Sequence, residues 1–404
     1  MEEMTNIIPS MRFDEFKYSW KVTTLGEITR QYRKSNKNVH HQNLLSLSYG
    51  KIVRKDIESK KGLLPASFDT YQIIKKDIIV FRVTDLQNDK KSLRVGISEE
   101  EGIITPAYVC MECDTRVVDP HYLYTLLHYY DDITKVYYKM GDGMRQTLAY
   151  SDLKELKVYL PSFSEQHKIV ECFKSLDKQI QLSSKKIASL RQMKTASLQV
   201  MYPQKGETRP RVRFKGFEGD WEEKAFSDIT FHAGVKNREN LPLESYSISN
   251  EHGFIPQNEQ FENGGTMSSA DKRMYYIVSP NSFAYNPARI NVGSLGYYSG
   301  EKDVIVSSLY EVFKTTEDIN DIFLFYWFKT NVFNKMIELY QEGGVRLYFF
   351  YDKLCQCSAM VPSIEEQSMI ANYFTTIDKQ ISLEEQKLES LKRIKSSCLD
   401  KMFV

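Results

Sequence analysis

No run of apolar residues in this chain is long enough to cross a bilayer. The longest, "IFLFYWF" at 322–328, falls far short of the roughly 20 residues a helical span needs. Net charge is nearly absent: 54 Lys and Arg offset 53 Asp and Glu, leaving +1. That excludes a global electrostatic pull toward nucleic acid or membrane, so any such pull must be local. Cysteine is scarce, six among 404 residues and unevenly scattered, which excludes a disulfide scaffold and fits a reducing cytosol. Cys110-x-x-Cys113 and Cys355-x-Cys357 each supply at most half of a zinc site, and no second pair has ligand spacing. Ordinary buried thiols are the expectation there. The opening "MEEMTNIIPS" is acidic and has no apolar core, so no secretory signal is expected. Neither a glycine-rich strand–turn–helix fingerprint nor a G-x-x-x-x-G-K-[ST] loop occurs, which argues against a cofactor-binding enzyme and an ATP-driven translocase.

What the chain does have is a copy of itself. "PSFSEQHKIVECFKSLDKQI" (161–180) returns as "PSIEEQSMIANYFTTIDKQI" (362–381), 201 positions later and without a gap. Over 161–202 and 362–403, 17 of 42 positions are identical. The same offset lays "RFDEFKYSW" (12–20) over "RFKGFEGDW" (213–221), and Gly143, Arg145 and Tyr150 over Gly344, Arg346 and Tyr351. Between these anchors similarity nearly vanishes. The pattern is one frame used twice around two divergent inserts, at about 17–160 and 214–361.

Each copy of the strong segment opens Pro-Ser-x-x-Glu, the pattern of a helix-capping box at Ser162/Glu165 and Ser363/Glu366. Apolar residues then alternate in steps of four and three: Ile169, Phe173, Leu176, Ile180, Ile187, Leu190 and Met201, matched by Ile370, Phe374, Ile377, Ile381, Leu388, Leu391 and Met402. This is a coiled-coil seam, interrupted at matched places by Ser183 and Glu384 and by Lys194 and Lys395. Each helix should run about 38 residues, roughly 57 Å. The link of ten residues between Tyr202 and Arg213 reaches at most about 35 Å, so the chain cannot return along the first helix before its second half begins. The expected arrangement is an antiparallel pair with one globular unit at each end, a pseudo-twofold dumbbell.

The inserts contain short β-type runs at 71–81, 101–113, 275–285 and 303–313, and one helix each at 119–130 and 321–340, which predicts mixed α/β domains with a curved sheet. Charge is concentrated in one place. Residues 30–61 hold nine cations against two acids: Arg30, Arg33, Lys34, Lys37, Lys51, Arg54, Lys55, Lys60 and Lys61, with Tyr32, Tyr49, His40 and His41 interleaved. Such a stretch suits phosphates, or else a solvated loop. The second insert has no equivalent run. Its candidate is "YNPARINVGSLGYY" (285–298), where Asn286, Arg289 and Asn291 have the side chains that pair bidentately with adenine and guanine edges. Arg145 and Arg346 share one repeat position in dissimilar stretches, which suits a phosphate contact better than a base contact.

The twice-used "P-S-x-x-E-Q-x-x-I" and "I/L-D-x-Q-I" helix, the "RF-x-x-F-x-x-x-W" lead-in and the Gly-x-Arg before each helix together resemble the specificity subunits of type I restriction–modification systems, over essentially the whole chain. The resemblance implies an α+β protein: target recognition domain 1 (1–160), a central conserved helix (161–202), target recognition domain 2 (203–361) and a C-terminal conserved helix (362–404). It implies that each recognition domain reads one half of a bipartite double-stranded DNA target. The helices would set the spacer and dock two modification (methyltransferase) subunits, with restriction (endonuclease and translocase) subunits joining them. It implies no catalysis here, S-adenosylmethionine bound by the modification subunit rather than this chain, no metal, and a cytoplasmic place in a bacterium or archaeon. The alternatives are a DNA methyltransferase, since "NPAR" (286–289) is similar to the amino-methyltransferase tetrapeptide but lacks its aromatic residue, and a coiled-coil scaffold without DNA contact.

Overall fold

The computed structural model describes residues 7–56, 65, 67–84, 93–140, 147–250, 253–260, 271–344 and 346–404. The chain divides into two compact units, Met1–Ser184 with Gln386–Val404, and Lys185–Glu385. Two 38-residue helices, Phe163–Val200 and Ile364–Lys401, begin in one unit and end in the other.

The two units repeat the same strand order despite their dissimilar sequences. In the first, a four-stranded antiparallel sheet runs Thr29–Gln31, Tyr108–Cys113, Ile79–Arg82, Val95–Ile97. In the second it runs Thr230–His232, Glu311–Thr315, Ser282–Tyr285, Leu295–Tyr298. Each unit adds a hairpin, Leu45–Ser48 with Lys51–Arg54 or Tyr246–Ser249 with Gly253–Pro256. Each also closes with a ribbon that brings its start to the root of a long helix: Lys21–Thr24 pairs with Lys157–Leu160, and Glu222–Ala225 with Ser358–Val361. Each β-type run of the sequence proves to be two strands with a turn between them. Residues 71–81, for example, form Gln72–Ile74 and Ile79–Arg82, with Asp77 at φ 65° in the turn. The helix expected over 321–340 is likewise two, Asp321–Trp327 and Asn331–Tyr340, broken where the Thr330 hydroxyl donates back to the Trp327 carbonyl at 2.7 Å.

The repeated Glu-Gln pair ties the frame together. Glu165 and Glu366 are almost fully buried, 1% exposed each. The Ser162 and Ser363 hydroxyls cap the third helical amide at 3.3 and 3.4 Å, as a capping box requires. The glutamates go elsewhere. Arg12 grips Glu165 through two bonds of 2.7 and 2.8 Å, with the Trp20 indole at 3.3 Å, and Arg213 grips Glu366 through two of 2.7 Å. The reciprocal half of each expected box therefore gives way to a bidentate charge-assisted pair, the stronger bond once water is excluded. The neighbouring Gln166 accepts from the Asp119 amide at 2.9 Å and donates to the Val117 and Pro161 carbonyls. Gln367 does the same with Asn320, Asp318 and Pro362. Asp119 and Asn320 are themselves the N-caps of the insert helices Pro120–Asp132 and Asp321–Trp327. Tyr150 and Tyr351, the other repeated anchors, bond Thr29 and Thr230 at the first strand of each sheet.

Within each unit the helix segments run antiparallel, as expected. Lys395 reaches Asp177 at 2.5 Å in the first unit, and Lys194 reaches Asp378 at 2.5 Å in the second, the same pair by the repeat offset. The interrupting seam lysines are thus paired. Ile169 and Phe173 pack with Leu399, Met402 and Phe403 in the first core, and Ile370, Phe374 and Ile377 with Leu198, Met201 and Tyr202 in the second. Ile187 and Leu391 are buried, whereas Leu176, Ile180, Leu190, Ile381 and Leu388 are half-buried, as in a seam of only two helices. Val170, Leu198, Ala371 and Leu399 belong to the buried stripe beyond the residues the spacing picks out.

Removing one partner of a buried ion pair typically costs about 3–5 kcal/mol. Glu366→Ala should therefore destabilise the second unit by about that much, read as lost hydrogen-exchange protection in strands 222–225 and 358–361. A loss below about 1 kcal/mol would mean the pair is no more than a surface bridge.

Candidate nucleic-acid interface

In the first unit the basic stretch folds into three pieces. Arg30, on the first strand of the sheet, pairs with Glu112 at 2.6 Å, and Lys75 holds the other oxygen of the same carboxylate at 2.6 Å. Those bonds hold Glu112 below the usual carboxylate range, Lys75 contributing most. Arg54, on the hairpin, grips Glu100, whose carboxyl is lowered chiefly by that bond. Acids from distant segments thus neutralise two of the cations. Arg33 donates to the Gln31 amide oxygen at 2.9 Å in the amide orientation that satisfies both groups. Lys34, Lys37, Lys51 and Lys55 are exposed, with no ion pair among the described residues. Lys60, Lys61 and Arg145 lie outside the described residues.

These cations are not one patch. Lys51 follows the hairpin tip, whose Gly50 carbonyl accepts from the Tyr124 hydroxyl at 2.9 Å; there it lines a cavity with Lys392 and Lys395 of the helix pair. Lys37 sits instead on a loop pinned by buried Asn36. That side chain accepts from the His41 amide at 2.9 Å and donates to the His41 and Phe68 carbonyls.

The same loop recurs in the second unit, a repeat that the charge pattern hides. Asn237, 1% exposed, accepts from the Leu241 amide at 2.9 Å and returns a bond to the Leu241 carbonyl at 3.1 Å. Arg238 follows it as Lys37 follows Asn36, at the repeat offset and equally exposed. The signal was available in "SNKN" and "KNRE", but it is two residues long and sits in the divergent region. Each unit therefore presents one exposed cation on a rigid, asparagine-anchored loop.

The second unit also gathers the predicted 286–291 segment with Arg346. Asn286 Oδ1 accepts from the Ala288 amide at 3.0 Å, closing a turn that presents Arg289 and Asn291 to solvent. That bond uses one of the two lone pairs on the oxygen, so Asn286 shapes the loop and keeps acceptor capacity for a base edge. The loop carrying Arg346 is closed by reciprocal bonds between Glu342 and Tyr348 at 2.9 and 2.8 Å. Gly343, at φ 136°, makes room there, since a Cβ would lie 2.1 Å from the Arg346 carbonyl oxygen. The Phe349 amide then bonds the Pro287 carbonyl at 3.0 Å, placing the two loops side by side. Arg289, Asn291 and Arg346, all exposed, share this surface.

The thiols of Cys110 and Cys113 are buried, and desolvation pushes both up to about 12. Among the described residues no group of three or more His, Cys, Asp or Glu could hold a metal ion. No described helix is long and apolar enough to cross a membrane.

A family model for the type I restriction modification DNA specificity domain matches the chain twice, at 19–192 and 220–393, with the same offset of 201. The chain belongs to this family. The matched domain confers DNA specificity, which sets the methyltransferase alternative aside and makes this a non-catalytic specificity subunit. Solved structures share the fold over nearly their full lengths. The HsdS subunit of Thermoanaerobacter tengcongensis is 16% identical, with 96% of this chain and 97% of that one covered, at a TM-score of 0.50. The S subunit of a type I restriction–modification system from M. genitalium is 14% identical, with 98% and 99% covered, at 0.58. A chain from work on complex assembly and conformational transition of a type I R-M system is 15% identical, with 96% and 98% covered, at 0.51.

For this specificity subunit, Lys37→Ala and Arg238→Ala should each weaken DNA binding about equally on all sequences and lower the salt slope by about one. Binding titrations at several salt concentrations read both effects. A variant that relaxed a single base preference would instead mark that residue as a base reader.

Proposed function

We propose that each insert reads one half of a bipartite double-stranded DNA sequence, and that the helix pair sets the spacer and docks two modification subunits. The observation that carries this reading is the frame repeated at 201 residues around divergent inserts. A shared frame suits a partner bound twice, and divergent inserts suit two unlike half-sites. Phosphate contacts come from Lys37 and Arg238, and from Arg346 beside Arg289 and Asn291, with Arg33, Lys34, Lys51, Lys55 and Arg145 adding to the basic field; Arg30 and Arg54, paired with Glu112 and Glu100, add little net charge. S-adenosylmethionine is held by the modification subunit, restriction subunits complete the nuclease, and the assembly works in the cytoplasm.

The repeat also supports the number of partners. Outside the seam, each unit leaves large apolar side chains in solvent at equivalent positions: Leu182 (57%) and Ile394 (49%) in the first, Leu383 (56%) and Met193 (41%) in the second. Residues 182 and 383, like 193 and 394, are 201 apart. Exposed apolar side chains kept at the same two positions in each repeat suit one protein surface bound twice.

The test of half-site reading is a chimera in which 214–361 is replaced by another specificity subunit's second insert. Sequencing of methylated DNA from cells carrying it with a modification partner should show one half-site changed and the other kept. A change in both halves would refute independent readers. For the docking patch, Leu182→Asp with Ile394→Asp should leave the chain folded and reduce the bound modification subunits from two to one, as counted by native mass spectrometry. Two subunits still bound would place docking elsewhere.

A further inference from the structure

The second unit contains a cavity of about 600 Å³ between its hairpin, its sheet and its helical segment. Phe254 of the hairpin, Tyr297 of the sheet, and Phe325, Phe328, Lys329 and Asn334 of the helical segment line it. Its aromatic walls are held in place. The Tyr297 hydroxyl lies 2.9 Å from both Asn281 Oδ1 and Asp321 Oδ2 and donates its one proton to either acceptor, which fixes the ring between them. Phe254 packs 5.2 Å from the Tyr298 ring and lies so close to Gly296 that a Cβ there would sit 2.9 Å from it. The Lys329 residue is exposed, but its ammonium packs 3.8 Å from the Phe325 ring centre and 5.5 Å from that of Tyr326, and this desolvation, with Lys194 nearby, lowers it to about 8, still a cation at neutral pH. Asn250 and Ile290 also line it, and the turn Ile290–Val292 carries exposed Asn291, next to exposed Arg289.

The first unit is built differently at this place. Gly96 pairs with Val80 there as Gly296 pairs with Ala284 in the second unit, but aliphatic Leu47 and Ile52 face it, and His128 stands at the repeat position of Lys329. A smaller cavity of about 370 Å³ lies there, lined by Tyr49, Tyr124 and His128 at the repeat positions of Asn250, Phe325 and Lys329, so the second insert is distinguished by a larger cavity with more aromatic faces.

Flat aromatic faces, a rim cation and amide groups are what a nucleotide needs: stacking for its ring, a positive charge for its phosphate and hydrogen bonds for its base edge. We propose that this cavity is a nucleotide pocket that takes a single unstacked base with its phosphate. Its position beside the Arg289–Asn291 loop makes an everted nucleotide of the bound duplex one source, and a free nucleotide is the other. The inference rests on the DNA-reading role of the insert, and the experiment separates the two.

The probe is 2-aminopurine deoxyriboside 5′-monophosphate, whose fluorescence falls on stacking, titrated into the full-length chain. Saturable quenching is expected, weakened about tenfold by Phe254→Ala and several-fold by Lys329→Ala, with no competition from deoxyribose 5-phosphate. Lys329→Ala is an exposed change and keeps the test decisive if Phe254→Ala does not fold. In a second arm, target duplexes carrying 2-aminopurine at successive positions are bound by the chain with its modification partner. One position whose signal depends on Phe254 identifies the everted nucleotide as occupant; free-probe binding without such a position identifies a soluble nucleotide. No signal in either arm, or signals unchanged in both folded variants, overturns the pocket. If sequence-selective methylation persists in that case, the DNA-reading role still stands.

Discussion

A carboxylate buried at the start of each long helix is the constraint on which both units depend. Glu165 and Glu366 are held out of water, and a charge in that position is tolerable only with a partner of opposite sign in good geometry. Arg12 and Arg213 supply it from far away in the chain, in bidentate form. The pair therefore fixes where the lead-in segment of each unit meets the root of its helix. The adjacent glutamine extends this control to the insert, because it binds the amide of the residue that caps the insert helix. Two consecutive side chains thus locate the lead-in, the closing ribbon and the insert helix against one another.

This arrangement explains how two inserts of dissimilar sequence share one topology. The frame fixes where each insert begins and ends, and antiparallel strands between those points need only suitable alternation and turns. The core volume can then be filled in different ways. The first unit places aliphatic side chains between hairpin and sheet, and the second places aromatic ones around a cavity. Variation of that kind leaves the frame intact, which suits a protein whose inserts differ in what they read.

Much of the fold was legible in the sequence. The offset of 201 exposed the repeat, the four-and-three spacing exposed the helices, and the short connection exposed their antiparallel sense, seen within each unit in the Lys395–Asp177 and Lys194–Asp378 pairs. The candidate site was less legible. A run of cations along the chain says nothing about acids that arrive from elsewhere, and Glu112 and Glu100 neutralise Arg30 and Arg54 from segments more than forty residues away. Asn286 has the right side chain for a base edge, and the turn that its oxygen also closes becomes visible only in the fold. Lys37 and Arg238 were paired only once buried Asn36 and Asn237 were seen to anchor equivalent loops.

By itself the sequence determined periodicity, repeat and order, because these are properties of neighbours along the chain and of spacing that each helix or strand must obey. It also marked Glu165 and Glu366 as special, since both copies keep them. Only the tertiary structure decided what those glutamates bind, which cations remain free, and that one insert encloses a wider aromatic pocket where the other keeps a smaller cavity. Those outcomes depend on groups far apart in sequence meeting in a medium without water, where a charge or a polar atom must find its partner wherever the fold supplies one.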